Sequence, residues 1–440
     1  MNGFINDKVL PPIMKFLNTK PMVAIKNGMI YPIPFIIVGS VFLILGQLPI
    51  QAAQDYLFSI GLGTLFLQIN DASFGIMALI AAFGITYSWM KEEGLEGASA
   101  GLTAVIVHIL LQPNSIANVV NIADPIQTSD AWQVSGIIDR TWLGGQGMIL
   151  SIIVGLLVGW IFSTLVKKNI TVKLPDSVPS NVAASFTALI PAAVVISLFG
   201  ALHGLFTIVL NTTFIEWVYE VIQIPLQHAV DGPGGILMMG LGPVMWWFGV
   251  HGSAIISGVM GPLLLANAAD NAALLAEGRL SLENGAHIVT AAMGDQIMTM
   301  SGAGITIGLL IFTLFSAKSD QMKSIGRLGA GPGVFNINEP VLFGMPVVLN
   351  PFLAIPFIFT PTILGLLTYF AMSMGIIPPF TGMVAPWTTP PILSGLLVGG
   401  WQLAIWQAAM LFLSIVIYWP FAKKYDNILL EQEAEMKKEN

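Results

Sequence analysis

From Pro340 to Ala422 the chain reads PVLFGMPVVLNPFLAIPFIFTPTILGLLTYFAMSMGIIPPFTGMVAPWTTPPILSGLLVGGWQLAIWQAAMLFLSIVIYWPFA, 83 residues without one Asp, Glu, Lys or Arg. A soluble domain carries about 25% charged residues and needs them on its surface. About 20 apolar residues cross a bilayer, so this stretch holds at least two spans with non-helical pieces between them. The rest of the chain agrees: of 440 residues 55% are hydrophobic and only 9% charged. A lipid-facing surface explains that balance, and a folded soluble core does not.

Working outward, further runs without a charged residue cover 27–54, 56–70, 72–90, 97–123, 141–166, 177–215, 232–269, 296–317 and 328–338. Lysines mark the cytoplasmic ends of such runs. Lys8, Lys15, Lys20 and Lys26 precede the first, Lys167, Lys168 and Lys173 follow the fourth span, and Lys423 and Lys424 follow the last. The pattern places both termini and the 167–173 segment in the cytoplasm, and the segment 113–140, with Asp124, Asp130 and Asp139, outside. No cleavable leader is apparent in the first 26 residues, so the first apolar run is expected to stay as a helix. Residues 212–231 and 318–327 mix charged and apolar side chains and are expected to lie as helices at the interface. Between 232 and 327 the crossings do not add up to the required side, so one apolar stretch there is re-entrant or broken. The expected domains are an N-terminal half, 1–211, a C-terminal half, 212–422, and a charged solvated tail, 423–440.

Two segments are too rich in Gly and Pro for a continuous helix: GAGPGVFNINEP (329–340) and IIPPFTGMVAPWTTPP (376–391). Irregular backbone at membrane depth is tolerated where protein buries it or where it lines a wet cavity. These segments are therefore candidates for re-entrant loops at a substrate site. Glu339 is the only charged residue from Leu328 to Ala422, and a lone carboxylate among apolar residues is costly unless it is paired or functional. Asn336 and Asn338 stand just before it. His251, in GPVMWWFGVHG, is the only ionisable residue between Asp231 and Asp270, one turn after Trp246 and Trp247. Trp387, in APWTTPP, offers an indole face of the kind that packs on a sugar ring. Asp71 and Asp295 each abut an apolar run.

The absence of cysteine excludes disulfides, thiolate metal sites and a phosphocysteine on this chain. No GxxxxGK[ST], HExxH, GxSxG or Asp-rich magnesium motif is present. No metal or cofactor site is expected, and any phosphoryl donor must come from another chain. The net charge of -7 says little about nucleic acid, but the basic residues form no continuous patch, and no nucleic-acid partner is expected.

The block with GVHG, the loop ending FNINEP and the later APWTTPP resemble the membrane-embedded IIC components of the bacterial phosphoenolpyruvate-dependent sugar phosphotransferase system, in the lactose, cellobiose and N,N′-diacetylchitobiose group. The resemblance spans nearly the whole chain. It implies an all-α polytopic membrane protein of the bacterial cytoplasmic membrane, with about ten transmembrane helices, re-entrant hairpins and interfacial amphipathic helices, paired as a homodimer through its N-terminal half. It also implies a disaccharide whose C6 hydroxyl sits near Glu339 and His251 as the catalytic pair. Read from their own positions rather than from the resemblance, Trp246, Trp387, Asn336, Asn338 and Asp295 are the candidates to bind the sugar. Separate IIB and IIA proteins would supply phosphate. The rival reading is an ion-coupled sugar symporter with Asp71, Asp295 and Glu339 as coupling sites; a polytopic transferase acting on a lipid carrier would need the Asp-rich metal site that is missing.

Overall fold

The computed structural model describes residues 15–16, 18–46, 51–119, 132–173, 175, 180–249, 251–345, 347 and 350–439. Among them, seven helical segments are long and apolar enough to cross a membrane: Lys20–Leu43, Leu62–Glu92, Gly145–Lys167, Phe186–Leu210, Ile255–Ala276, Pro351–Ser373 and Leu393–Met436. The only strands among the described residues are Ser115–Val119 and Trp132–Ser135, paired antiparallel in the segment between two apolar helices. The protein is thus an α-helical polytopic membrane protein.

The chain folds into two compact units, Met1–Ile36 with Asp71–Pro225, and Ile37–Asn70 with Leu226–Asn440. In the first unit the helix Met77–Glu92 packs on Lys20–Gly28, Ala98–Leu110 and Met148–Lys167. Small residues bring these helices together, as they do where lipid leaves no hydrophobic drive between them. Ala78, Ala81, Ala82 and Gly84 are all buried on one helix, and Thr86 donates across to the Gly155 carbonyl at 2.9 Å. At one end of the Leu62–Glu92 segment Glu93 is held by Lys20 (2.8 Å) and Lys167. About a third of the way along that segment Asp71 pairs with Arg140.

The second unit is built from broken helices. The short helices Pro233–Met239 and Leu241–Trp247 turn back into the long helix Gly252–Ala276. After it come a π-helical turn, Met293–Met298, an irregular stretch and the short helix Ile307–Phe315. This places two interruptions in the region where the charge pattern demanded one. Asp320–Val334, Glu339–Gly344, Pro351–Ser373 and the final helix Leu393–Glu439 follow, the last kinked at Gly399 and Gly400. Pro351 occupies the first turn, and the Asn350 side chain accepts from the Phe352 and Leu353 amides, a standard N-terminal arrangement.

Three local expectations change. The glycines of 329–334 do not end a helix: Asp320–Val334 runs through them, because a side chain on Gly329 or Gly333 would meet Val341 or Leu310 at 2.8 and 2.5 Å. Their smallness serves packing, and the break falls at 335–338 instead. The stretch 212–231 is helical but divided into Phe214–Val218, a π-turn and Ile224–Val230, opened by a Thr213–Glu216 capping box. The tail is not simply solvated. The final helix continues to Glu439, burying Tyr425 and Leu429 in a core with Trp246, Val341, Leu342 and Phe357. Asp426 accepts from the Lys318 and Ser319 amides, and Glu433 from those of Asp320 and Gln321, capping the start of the Asp320–Val334 helix. Outside these positions, the segment 376–391 is non-helical throughout, as its prolines require.

Candidate functional site

Three irregular segments of the second unit, 299–306, 335–338 and 385–392, are joined by amide side chains. The first carries Ser301, Gly302, Gly304 and Ile305 all at positive φ. A side chain on Gly302 would lie 2.4 Å from the Asn338 amide, so only glycine fits. Backbone freed at this break is satisfied from the final helix: Tyr418 Oη donates to the Gly304 carbonyl (2.7 Å) and Ser414 Oγ to that of Ile305 (2.8 Å). Such replacement partners are what makes non-helical backbone tolerable at membrane depth.

Asn336, itself at φ +63, ties all three segments. Its Oδ1 accepts from the Ser301 amide at 2.6 Å, and its Nδ2 donates to the carbonyls of Trp387 (2.5 Å) and Thr389 (2.9 Å). Asn338 donates both amide hydrogens as well, to the Ala303 carbonyl and to Thr306 Oγ1, each at 2.7 Å. Both asparagines are buried. Immediately beyond them Glu339 opens the helix Glu339–Gly344 with an exposed side chain. The structure therefore brings Asn336, Asn338 and the Trp387 segment together, with Glu339 projecting from the same loop. The Trp387 indole is 53% exposed while its backbone is pinned.

Trp246 and His251 form a second pair, ring centroids 4.5 Å apart. Trp246 is buried and donates to Ser253 Oγ at 3.3 Å; His251 is exposed. Trp246 lies in the same core as Val341 and Leu342 of the helix that Glu339 begins. Asp295, half-buried, sits on the π-helical turn Met293–Met298 beside the buried Gln296.

Sequence reasoning passed over Gln296 and Gln407. The Gln296 side chain donates to the carbonyls of Ala385 (3.1 Å) and Pro386 (3.3 Å), and the main-chain carbonyl of Gln296 accepts from Gln407 Nε2 at 2.7 Å. A search for charge finds neither. The available signal was an amide inside an otherwise apolar run, as in WQLAIWQ on the final helix. A charged cluster was also missed. His287 meets Asp231 at 2.8 Å through Nδ1 and Asp270 at 3.4 Å through Nε2. Gln227 donates to Asp270, and Asn271 grips the backbone of His287 and the Phe380 carbonyl. His287 lies outside the spans; burial alone would lower its pKa, but the two carboxylates outweigh that and raise it from 6.5 to about 9. Among the described residues no group of three or more His, Asp or Glu side chains is placed to hold a metal ion.

The sequence matches the family model "Phosphotransferase system, EIIC" over residues 26–361. It is 34% identical to the cellobiose-specific EIIC component of Geobacillus stearothermophilus, covering 96% of this chain and 93% of that one. It is 32% identical to the lichenan permease IIC component of Bacillus subtilis, over 99% and 96% of the two chains. The fold superposes on the crystal structure of the IIC component from the N,N′-diacetylchitobiose-specific phosphotransferase system with a TM-score of 0.91. The two are 33% identical, over 98% of this chain and 99% of that one.

Proposed function

The chain belongs to the EIIC family of the phosphotransferase system, and from that premise we propose that it carries a disaccharide of the cellobiose or N,N′-diacetylchitobiose type and presents its C6 hydroxyl to a phosphorylated IIB partner. The observation that carries the site is Glu339. It is the only charge between Arg327 and Lys423, and it projects from a loop whose two asparagines donate to the carbonyls of Trp387, Thr389 and Ala303 and to the Thr306 hydroxyl. A carboxylate held there suits a general base. As the C6 oxygen attacks phosphorus, the sulfur–phosphorus bond on IIB breaks, the oxygen–phosphorus bond forms, and the hydroxyl proton passes to Glu339. His251, seated on Trp246, assists by binding the same hydroxyl or the incoming phosphoryl group. Trp387 stacks on the sugar, with Asp295 as a hydroxyl ligand. Asn336 and Asn338 hold the loops that present Glu339 and Trp387. The lack of cysteine in this chain fits a donor on a separate IIB, itself charged by IIA.

In this reading the N-terminal half forms a homodimer and the C-terminal half binds sugar in the bacterial cytoplasmic membrane. Both termini and the 167–173 segment face the cytoplasm. The Lys20–Glu93–Lys167 cluster, gathered at one end of its helices, supports that orientation. An Ile170→Cys variant should resist an impermeant thiol reagent applied from outside; rapid labelling reverses the topology. The symporter reading is weakened by Asp71, which is committed to Arg140. The deciding measurement is the product. Membranes supplied with phosphorylated IIB should release sugar phosphate, and accumulation of unmodified sugar driven by an ion gradient would replace this function with the symporter.

A further inference from the structure

Trp387 stands on a non-helical segment, inside a turn closed by the Thr389 amide donating to the Pro386 carbonyl at 2.9 Å. Five residues on, Ile392 has φ +73, a region that a β-branched residue rarely enters. Such a conformation persists only where its surroundings over-determine it, and it concentrates at functional sites. Besides Asn336, which holds the Trp387 and Thr389 carbonyls, the surroundings here are two glutamines. Gln407 Oε1 accepts from the Ile392 amide at 2.7 Å and from the Gly395 amide at 2.8 Å. Its Nε2 donates to Ser394 Oγ at 3.0 Å and to the Gln296 carbonyl at 2.7 Å. Gln296 then reaches the other side of Trp387, donating to the carbonyls of Ala385 and Pro386. The pair therefore brackets Trp387, two carbonyls before it and two amides after it. Gly395 leaves the room required, since a side chain there would fall 2.5 Å from Gln407 Oε1. Gln407 is fully buried and Gln296 nearly so.

We infer that Gln407 and Gln296 are positioning residues of the sugar site, fixing the strained segment so that the Trp387 indole is presented in one orientation. The inference rests on the reading that Trp387 meets the sugar. If the glutamines merely satisfied backbone groups, leucine or methionine at these positions with a relaxed loop would serve stability alone, and affinity would not follow Trp387. Positioning makes a different demand: the benefit of Gln407 must be expressed through the indole.

The test is a double-mutant cycle on the purified full-length protein, titrated with cellobiose and with N,N′-diacetylchitobiose. Gln407→Met and Trp387→Ala should each weaken binding of the preferred sugar by about tenfold. The double variant should bind no more weakly than Trp387→Ala alone, since the contact that Gln407 serves is already gone. Adding Ile392→Gly to Gln407→Met should recover part of the affinity, because glycine enters positive φ without steric penalty. If Gln407→Met does not yield folded protein, Gln296→Met carries the same expectations. Losses that add in the double variant overturn the inference, as does parental affinity in the glutamine variants beside a weakened Trp387→Ala. Parental affinity in Trp387→Ala itself removes the sugar contact and this inference with it, while leaving the family's phosphoryl-transfer assignment standing.

Discussion

Around Asn336 the groups that join broken segments are all neutral amides and hydroxyls; around His287 they carry formal charge. The two regions solve the same problem, backbone and helix ends that need partners, at different burial. Asn336, Asn338, Gln296 and Gln407 are 0–4% exposed. His287, Asp231 and Asp270 keep 16–18% of their side chains open and sit by helix ends and the 277–292 connection. An amide can donate and accept at once without the desolvation penalty of an ion, which reaches several kcal/mol per charge even after relaxation. The buried joint is therefore built from amides, and charge is used where water still reaches. Glu339, exposed on the loop that the amides hold, and the half-buried Asp295 next to Gln296 are carboxylates kept beside that joint.

That contrast can be broken most severely at Glu339. Glu339→Gln removes the carboxylate from the loop that the amides hold; sugar phosphorylation in membranes with phosphorylated IIB should fall by about 100-fold or more, the usual contribution of a general base, with folding retained. Phosphorylation at the parental rate would remove the base role. Loss of binding as well would make Glu339 chiefly a sugar anchor.

Next in size is Asn336→Ala. It strands the Ser301 amide and two carbonyls and replaces a residue that tolerates positive φ by one that does not. The expected loss is about 3 kcal/mol or more, read as a drop in Tm below the parent in detergent, the size of which does not vary between pH 6 and 9. An unchanged Tm would mean that the three segments are held by something other than this side chain.

The charged cluster should show the opposite signature. The His287 pKa in the folded protein, about 9, lies above its ordinary 6.5. Its stabilisation is therefore complete below pH 6.5 and is lost as pH rises through about 9, by on the order of 3 kcal/mol. A pH series of melting curves should fall across that window in the parent and flatten in His287→Gln. A flat parental profile would mean that the carboxylates do not hold a proton on His287.

The smallest effect is expected at Glu93, whose two lysine partners are about half exposed. Glu93→Gln should cost at most about 1 kcal/mol, and added salt should erase the difference. A larger, salt-resistant loss would place this cluster with the buried kind.

Much of the architecture was legible because lipid excludes charge. The 83-residue run and the proline-rich 376–391 segment each carry their meaning locally. The FNINEP and APWTTPP segments stood out as irregular backbone, but their mutual contact was not legible, since Asn336 and Trp387 are 51 positions apart. Gly329 and Gly333 read as helix breakers until their neighbours were known. A glycine required for close packing and one required for a turn look the same in a sequence, and only the distance to Leu310 or Val341 separates them.

By itself the sequence determined that the chain is a multi-spanning membrane protein and that Glu339 is singular. A hydrocarbon solvent penalises every charge, so the one that stays is conspicuous without any knowledge of its surroundings. Only the tertiary structure decided that Gln407 reaches Gln296 across 111 positions, that the final helix caps the Asp320–Val334 helix, and that His287 is clasped by two carboxylates. Hydrogen bonds between side chains and distant backbone leave no periodic trace in composition. Their partners are chosen by where broken helices happen to leave amides and carbonyls unsatisfied, and that depends on the packing of the whole unit.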